Sequence, residues 1–231
     1  MKRFYRDVDV TEAEGGWQVA LDGRGIKTVS GAPQIVQTRA LASALAAEWA
    51  AQGEKIDPAS LKLRDQTDYA IDHVLNDSSE TISKLLGYAE TDTLCYRADP
   101  EDALFTRQQE VWEPLVAAFE QRHGIKFYRI SGIIHRAQPE ASLERLREHL
   151  ACIDPFTLAG LLTMTSLAAS LCIGLEALEK DSDPGSLWRV ANLEEEWQAE
   201  LWGRDEQAEE RRAMRGEEFA RAHRWIQLCR G

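Results

Sequence analysis

The chain has 231 residues and a mass of 26.0 kDa, with 44% hydrophobic and 29% charged residues, which is enough for one large domain or two small ones. Its formal net charge of −12 argues against a nucleic-acid partner, because phosphates require clustered Lys and Arg. The same charge disfavours adsorption to an anionic membrane. An acidic chain is compatible with a basic patch on a protein partner, although such charge commonly serves solubility alone.

The amino-terminal forty residues are predicted to form an antiparallel meander of about four short strands. Asp22 and Gly23 mark a tight turn between two of them. Thr38 is predicted to cap a helix that runs to about residue 51. Its apolar face would carry Leu41, Leu45 and Trp49.

Helices dominate the rest of the chain. Shorter ones are predicted at 64–75 and 79–87, with strand-like segments at 94–96 and 126–130. The longer predicted helices cover 101–122, 139–151, 155–179, 185–202 and 204–228. We therefore expect an α+β fold, with a small antiparallel β-containing amino-terminal module (1–90) and a mainly helical carboxyl-terminal module (91–231).

The stretch 156–175 contains no charged residue, and its length is close to that of a membrane span. It carries several Thr, Ser and Gly residues and lacks Tyr/Trp anchors and flanking Lys/Arg. A helix that is apolar all round is also what the centre of a helical domain requires. We interpret the stretch as buried core, without membrane insertion.

The four cysteines are widely separated and form no CxxC pair, so structural zinc is not expected. Cys152 and Cys172 lie in apolar surroundings and are predicted to be buried. All four are expected to be reduced. The amino terminus has early acidic residues and no apolar signal core, which favours a cytoplasmic protein.

The search for catalytic motifs finds little. Residues 23–28 contain Lys-Thr, but they lack the glycine and spacing of a phosphate loop and lead into a strand. The five histidines have no ligand-like i, i+4 partner, and each, His135 included, is interpreted as a surface or half-buried side chain. We expect no cofactor, no metal and no enzymatic activity.

The most unusual segment is 193–205, where three consecutive glutamates lie beside two tryptophans. At helical spacing Trp188, Glu195 and Trp202 recur every seven residues. One interpretation is a core helix with tryptophans inward and glutamates in water. The other is a binding surface, because tryptophan supplies rigid contact area and glutamate supplies charge.

The order and spacing of short segments along nearly the whole chain resemble one family, the assembly chaperone of the alpha subunit of the F-type ATP synthase catalytic head, in its alphaproteobacterial form. The segments that carry the resemblance are residues 3–5, 19–24, 27–28, 48–53, 56–58, 88–93, 109–115, 166–170, 195–198 and 202–205. The chain departs from the family at Val29, where a Pro is common, and at Ala169, where a Gly is common.

The resemblance implies an ATP-independent chaperone that holds an unassembled alpha subunit until a beta subunit replaces it. Eukaryotic relatives are mitochondrial. The resemblance marks a glutamate of segment 195–198, here Glu195 or Glu196, as functionally important. We therefore expect Glu195, Glu196, Gln198 and Trp202 to bind the partner.

An alternative from another class is a helical hydrolase or transferase. Its site would use carboxylates among Glu90, Asp92, Glu195 and Glu196. A metal or small ligand held between such carboxylates would favour this alternative, whereas a stable complex with isolated alpha subunit and no turnover would favour the chaperone.

Overall fold

The computed structural model describes residues 1–132 and 136–231, so His135 lies outside the described residues. Its contacts divide the chain into two compact units. The first unit contains Met1–Ser78, Asp154–Gly160 and Arg224–Gly231, and the second contains Ser79–Ile153 and Leu161–His223. The first boundary between these units follows Ser78. The two modules that we expected, with a boundary after residue 90, stay a prediction.

Four short strands come first, and helices make up most of the rest of the chain. The strands are β1 (Val8–Ala13), β2 (Gly16–Leu21), β3 (Arg24–Gly25), β4 (Ile35–Val36), β5 (Tyr96–Arg97) and β6 (Ile130–Ser131). The helices are α1 (Arg39–Ala50), α2 (Lys62–Tyr69), α3 (Ser79–Glu90), α4 (Ala103–His123), α5 (Glu140–Ala151), α6 (Pro155–Ala168), α7 (Leu171–Glu176), α8 (Pro184–Ala191), α9 (Leu193–Trp202) and α10 (Glu206–Arg230). The predicted α+β class, with its early antiparallel sheet and helical remainder, is confirmed.

The sheet of the first unit is antiparallel, as predicted, but it is not a simple meander. Strand β2 pairs with β1 along its whole length, with β3 at Leu21 and with β4 at Trp17. The β2–β3 turn has Asp22 at φ 47° and Gly23 at φ 75°. Two consecutive positive φ values match the twist of a two-residue hairpin, which explains the Asp-Gly pair.

Helix α1 packs against β1 and β2 with the face that its sequence predicts. The Thr38 hydroxyl accepts a hydrogen bond from the Leu41 N–H at 3.2 Å, which caps the helix. Leu41, Leu45 and Trp49 are all buried. Helix α1 therefore buries the apolar face that its sequence spacing predicts.

The uncharged stretch forms two helices, so the prediction of one helix over 155–179 is wrong. Helix α6 ends before Ala169, whose φ of 49° lies in the left-handed region. Ser170 is extended, and its hydroxyl accepts the Ile173 N–H at 3.1 Å, starting α7. Thr93 donates its hydroxyl to the Ala169 carbonyl at 2.9 Å. The left-handed region is adopted most easily by glycine, so an alanine at this position carries a conformational cost.

The prediction of one helix over 185–202 is also wrong. Helix α8 ends at Asn192, whose φ of −100° and ψ of 21° leave the helical region. The Asn192 amide donates to the Trp188 carbonyl at 2.7 Å. Trp188 consequently lies on a separate helix from Glu195 and packs against Phe219, with ring centroids 5.8 Å apart. The seven-residue repeat therefore does not describe one continuous face.

Most of the uncharged stretch is buried, as the core interpretation predicts. Among its fully buried side chains are Leu161, Met164 and Leu171. Within residues 1–132 and 136–231, no helix combines the length and the apolar character needed to cross a membrane. All four cysteines are free, and Cys172 is buried as predicted. Cys152 is exposed, because it follows α5 at its carboxyl end, so that prediction is wrong.

The second unit contains a group of ion pairs on α4 that we call the α4 ion cluster, formed by Arg97, Glu113, Glu120, Lys126 and Arg129. Arg129 contacts Glu113 at 2.7 Å, and Arg97 contacts the same carboxylate at 3.1 Å. Glu120 accepts from Lys126 at 2.9 Å. Burial opposes ionisation of Glu120, but its hydrogen bonds from Arg129 and its other donors hold the pKa below the usual value.

Candidate functional site

Helix α9 carries the acidic, tryptophan-containing segment, and it is anchored at its first turn. Leu193 is buried. Glu194 accepts a hydrogen bond from the Gln108 amide at 2.6 Å, and Gln108 is fully buried. Partial burial raises the pKa of the Glu194 carboxyl, and the Gln108 bond partly offsets this. The acidic first turn also suits the positive end of the helix dipole. Glu194 therefore helps to hold α9 in place, and it also lines the same groove as the residues that follow it.

The next residues of α9 line a groove of about 900 Å³ in the second unit. Glu195, Gln198 and Trp202 follow each other at spacings of three and four and share one face of α9. Together with segments 96–99 and 205–215 they line the cavity that we call the α9 groove. The structure thus brings three of the four expected partner-binding residues to one place.

Large apolar side chains of α9 are open to solvent at this groove. The Trp202 residue is 82% exposed, and its neighbour Leu201 is 59% exposed. Glu195 and Gln198 are exposed as well. Tryptophan and leucine lose the benefit of burial in such positions, so this end of α9 does not support the interpretation of a core helix.

The arginines that line the α9 groove are largely engaged inside the second unit. Arg97 contacts Glu113, Arg212 contacts Glu209 at 2.5 Å, and Arg215 donates to the Leu167 carbonyl at 2.7 Å. Within residues 1–132 and 136–231, no side chain forms a hydrogen bond or ion pair with Glu195. An unpaired carboxylate beside an exposed indole gives the groove a polar and an apolar contact point.

Glu196 lies elsewhere. It is half-buried and lines a smaller depression of about 320 Å³ on the other side of α9, beside Arg107 and Arg189. One residue of separation on a helix turns a side chain by about 100°. The two adjacent glutamates, which the sequence could not distinguish, therefore face different surroundings.

The carboxylates of the alternative enzymatic site are not assembled with Glu195. Asp92 is fully buried and accepts the N–H groups of Leu94 and Cys172, each at 3.0 Å. Burial raises its pKa, while these hydrogen bonds oppose the rise. Neither Asp92 nor Glu90 is among the described residues that line the α9 groove. Asp92 joins two helical segments and has a structural role.

No cluster of three or more His, Cys, Asp or Glu side chains in the described part of the chain is arranged to hold a metal ion. The histidines do form one contact that the sequence analysis missed. His123 and His149 lie with ring centroids 4.8 Å apart, and His123 also stacks on Phe119 at 4.4 Å. This pair joins α4 to α5 and is remote in sequence, so local spacing could not indicate it.

Groove residues outside α9 were also missed. Arg97 comes from β5, about a hundred positions earlier in the chain. Arg212 and Arg215 come from α10, where Arg212 pairs with Glu209 of the same helix. One sequence pattern could have indicated these residues. At helical spacing, Ala208, Arg211, Arg212 and Arg215 lie on one face of α10.

Comparisons with known proteins identify relatives of the whole chain. The profile of the ATP12 chaperone protein family matches residues 2–120. Protein atp12, mitochondrial, of Schizosaccharomyces pombe is 26% identical over 223 residues, which span 90% of this chain and 76% of the relative.

Solved structures extend the match to the carboxyl-terminal half. The crystal structure of Atp12 from Paracoccus denitrificans has a TM-score of 0.92 and 35% identity, covering 99% of this chain and 98% of that one. A point mutant of the Paracoccus protein matches equally, with a TM-score of 0.92 over 99% of this chain and 97% of that one. The chain belongs to the ATP12 chaperone family, a family of ATP synthase assembly chaperones.

Proposed function

We propose that this protein is an ATP-independent chaperone that binds the unassembled alpha subunit of F-type ATP synthase through the α9 groove. It would act in the bacterial cytoplasm and release the subunit when a beta subunit takes its place. The observation that carries the proposal is the grouping of Glu195, Gln198 and the 82% exposed Trp202 on one open face of α9.

The apolar part of this face suits a folded subunit that awaits its neighbours. Subunits of a permanent assembly bury large apolar interfaces, which are exposed while the subunit is free. Trp202 and Leu201 supply exposed apolar area, and tryptophan is enriched among residues that dominate binding energy. A contact with such an interface would remove these side chains from water.

The charged part of the face selects the partner. Glu195 lacks an ion-pair partner among the described residues, while Arg97, Arg212 and Arg215 are already engaged. Arg211 also lines the groove and is exposed, so in the described part of the chain the groove offers a free carboxylate at Glu195 and a free guanidinium at Arg211. A lysine or arginine of the client that meets Glu195 would fix the orientation of the complex and accelerate its formation.

The carboxylates of the enzymatic alternative do not meet in the α9 groove. General acid–base catalysis requires a titratable side chain within hydrogen-bond reach of the reacting group. Asp92 is buried in structural hydrogen bonds, and Glu196 faces the other side of α9. Non-catalytic binding is the activity that this arrangement supports best.

A capture experiment tests the proposal. The protein is immobilised and offered purified free alpha subunit, free beta subunit or the assembled catalytic head, with and without ATP. We expect capture of free alpha subunit alone, unchanged by ATP. Equal capture of the assembled head and the free subunit would overturn the proposal, because only the free subunit exposes the interface.

A further inference from the structure

A second groove lies in the first unit and is separate from the α9 groove. It has a volume of about 540 Å³ and is lined by residues 4–5, 21–22, 24–27, 49 and 64. We call it the N-terminal groove. Its walls come from the amino-terminal segment, the β2–β3 hairpin and α1. Nothing in the α9 proposal uses it.

One wall of the N-terminal groove is aromatic. Phe4 is 63% exposed and contacts Tyr5 edge-on at 5.3 Å between ring centroids. Tyr5 in turn contacts Trp49 edge-on at 5.8 Å, and its hydroxyl donates to the Trp49 carbonyl at 2.6 Å. Two buried rings thus support one exposed ring, which offers a rigid apolar contact surface.

Several other residues that line the groove are basic, although the whole chain has a net charge of −12. Arg24, Lys27 and Arg64 line the groove, with Asp22 as the acidic residue. Asp22 is engaged, because its carboxylate accepts the N–H groups of Arg6 and Asp7, each at 2.9 Å.

Two of these three cations are available to a ligand. Arg64 is held by Asp65 and Asp68, each at 3.0 Å. Arg24 and Lys27 are exposed, and neither forms a hydrogen bond or ion pair with another side chain in the described part of the chain. The groove therefore presents two cations that form no ion pair among the described residues, beside its aromatic residues, and the charge of Arg24 is partly balanced by the nearby Asp22 carboxylate.

Trp49 lines the same groove and is only 9% exposed. Its indole Nε1–H is buried and has no hydrogen-bond acceptor among the described residues. Because this atom is out of contact with solvent, it serves as a reporter of binding at the groove.

We propose that the N-terminal groove binds an acidic peptide segment of the client protein, with an apolar side chain against Phe4 and a carboxylate beside Arg24 and Lys27. The identity of that client rests on the proposed function. A short acidic peptide fits better than a nucleic acid or an anionic membrane, because it carries few charges and the net charge of the whole protein repels it less.

The test uses overlapping synthetic peptides of about ten residues that cover the alpha and beta subunits. They are probed with the full-length parent, with an Arg24→Glu/Lys27→Glu variant and with a control, Lys55→Glu/Lys62→Glu. The control changes two exposed cations of the same unit that do not line the groove. Dissociation constants of the bound peptides are then measured in solution.

We expect parent and control to bind acidic peptides that contain an apolar residue, and the groove variant to bind them at least about tenfold more weakly. The Trp49 indole N–H resonance, assigned with Trp49→Phe, should shift on titration with such a peptide. The proposal is overturned if no peptide depends on the groove, if dependent peptides lack Asp and Glu, or if only anionic vesicles bind through it.

The same experiment separates this inference from the proposed function. If free alpha subunit is captured and no acidic peptide depends on the groove, the groove inference fails and the proposed function stands. If alpha subunit is not captured and acidic peptides of the beta subunit bind through the groove, the proposed function fails and the groove inference stands.

Discussion

Two acidic regions of the second unit differ in how their carboxylates are paired. In the α4 ion cluster, the side chain of Glu120 is 3% exposed and every contact is supplied by the chain itself. On α9, Glu195 is exposed and has no such partner among the described residues. A carboxylate with internal donors stabilises the fold, whereas one without them is free to meet another molecule.

The largest effect should come from breaking the α4 ion cluster. Glu120→Ala removes the acceptor of the Phe127 N–H, which lies at 2.7 Å, and leaves Arg129 and Lys126 without their shared carboxylate. We expect the free energy of unfolding to fall by about 3–5 kcal/mol in chemical denaturation.

The matched control is Glu110→Ala on the same helix. The side chain of Glu110 is 62% exposed, and its contact with Arg107 is 3.7 Å long. This change should cost no more than about 0.5 kcal/mol. Equal losses in the two variants would contradict the distinction between paired and open carboxylates.

A second prediction concerns the apolar interior of the same unit. Leu171, at the start of α7, is fully buried, whereas Leu167, near the end of α6, is half-buried. Leu171→Ala should lower the free energy of unfolding by about 2–5 kcal/mol, because it leaves a cavity. Leu167→Ala should cost distinctly less. A larger loss of stability for Leu167→Ala than for Leu171→Ala, in thermal and chemical denaturation, would contradict this account of the break between α6 and α7.

A third prediction follows from the His123–His149 contact. Burial, His149 and Arg122 lower the pKa of His123 from 6.5 to about 4. The unfolded chain therefore binds more protons than the native state between these values, so stability is fully present above pH 6.5 and falls as the pH approaches 4.

The loss from His123 should amount to about 2–3 kcal/mol. His123→Gln has no proton to gain and should flatten this part of the stability–pH curve, measured by urea denaturation at several pH values. An unchanged slope in the variant would show that another group causes the dependence.

Local pattern predicted much of the fold. The α1 face with Leu41, Leu45 and Trp49, its Thr38 cap and the Asp22-Gly23 turn follow from short-range rules. The break at Ala169 could not be predicted, because alanine is a strong helix former and its left-handed conformation is supported by Thr93, which is distant in sequence. Tertiary contacts overrode propensity at that point.

The sequence could indicate which residues form the candidate site, but it could not indicate how they are arranged in space. The sequence indicated Glu195, Glu196, Gln198 and Trp202 as a set, partly through the family resemblance. Helix α9 begins after Asn192, and this starting point determines the direction of each side chain. As a result Glu195 lines the α9 groove with Trp202, whereas Glu196 lines a different depression. The arginines opposite come from β5 and α10, and no local spacing connects those elements to α9.

The central claim is that the open face of α9 binds the client, and adjacent charge reversals test it directly. Glu195→Lys changes a residue of the α9 groove, and Glu196→Lys makes the same change on the other side of the helix. Melting temperature and affinity for free alpha subunit are measured for both. Both variants should unfold within about 0.5 kcal/mol of the parent, because neither glutamate is fully buried.

Glu195→Lys should weaken alpha-subunit binding by about tenfold or more, a change of about 1.4 kcal/mol. Glu196→Lys should bind within about threefold of the parent, a difference of less than 1 kcal/mol. If both variants fold and bind like the parent, the face of α9 is ordinary solvated helix and the proposed binding site is wrong.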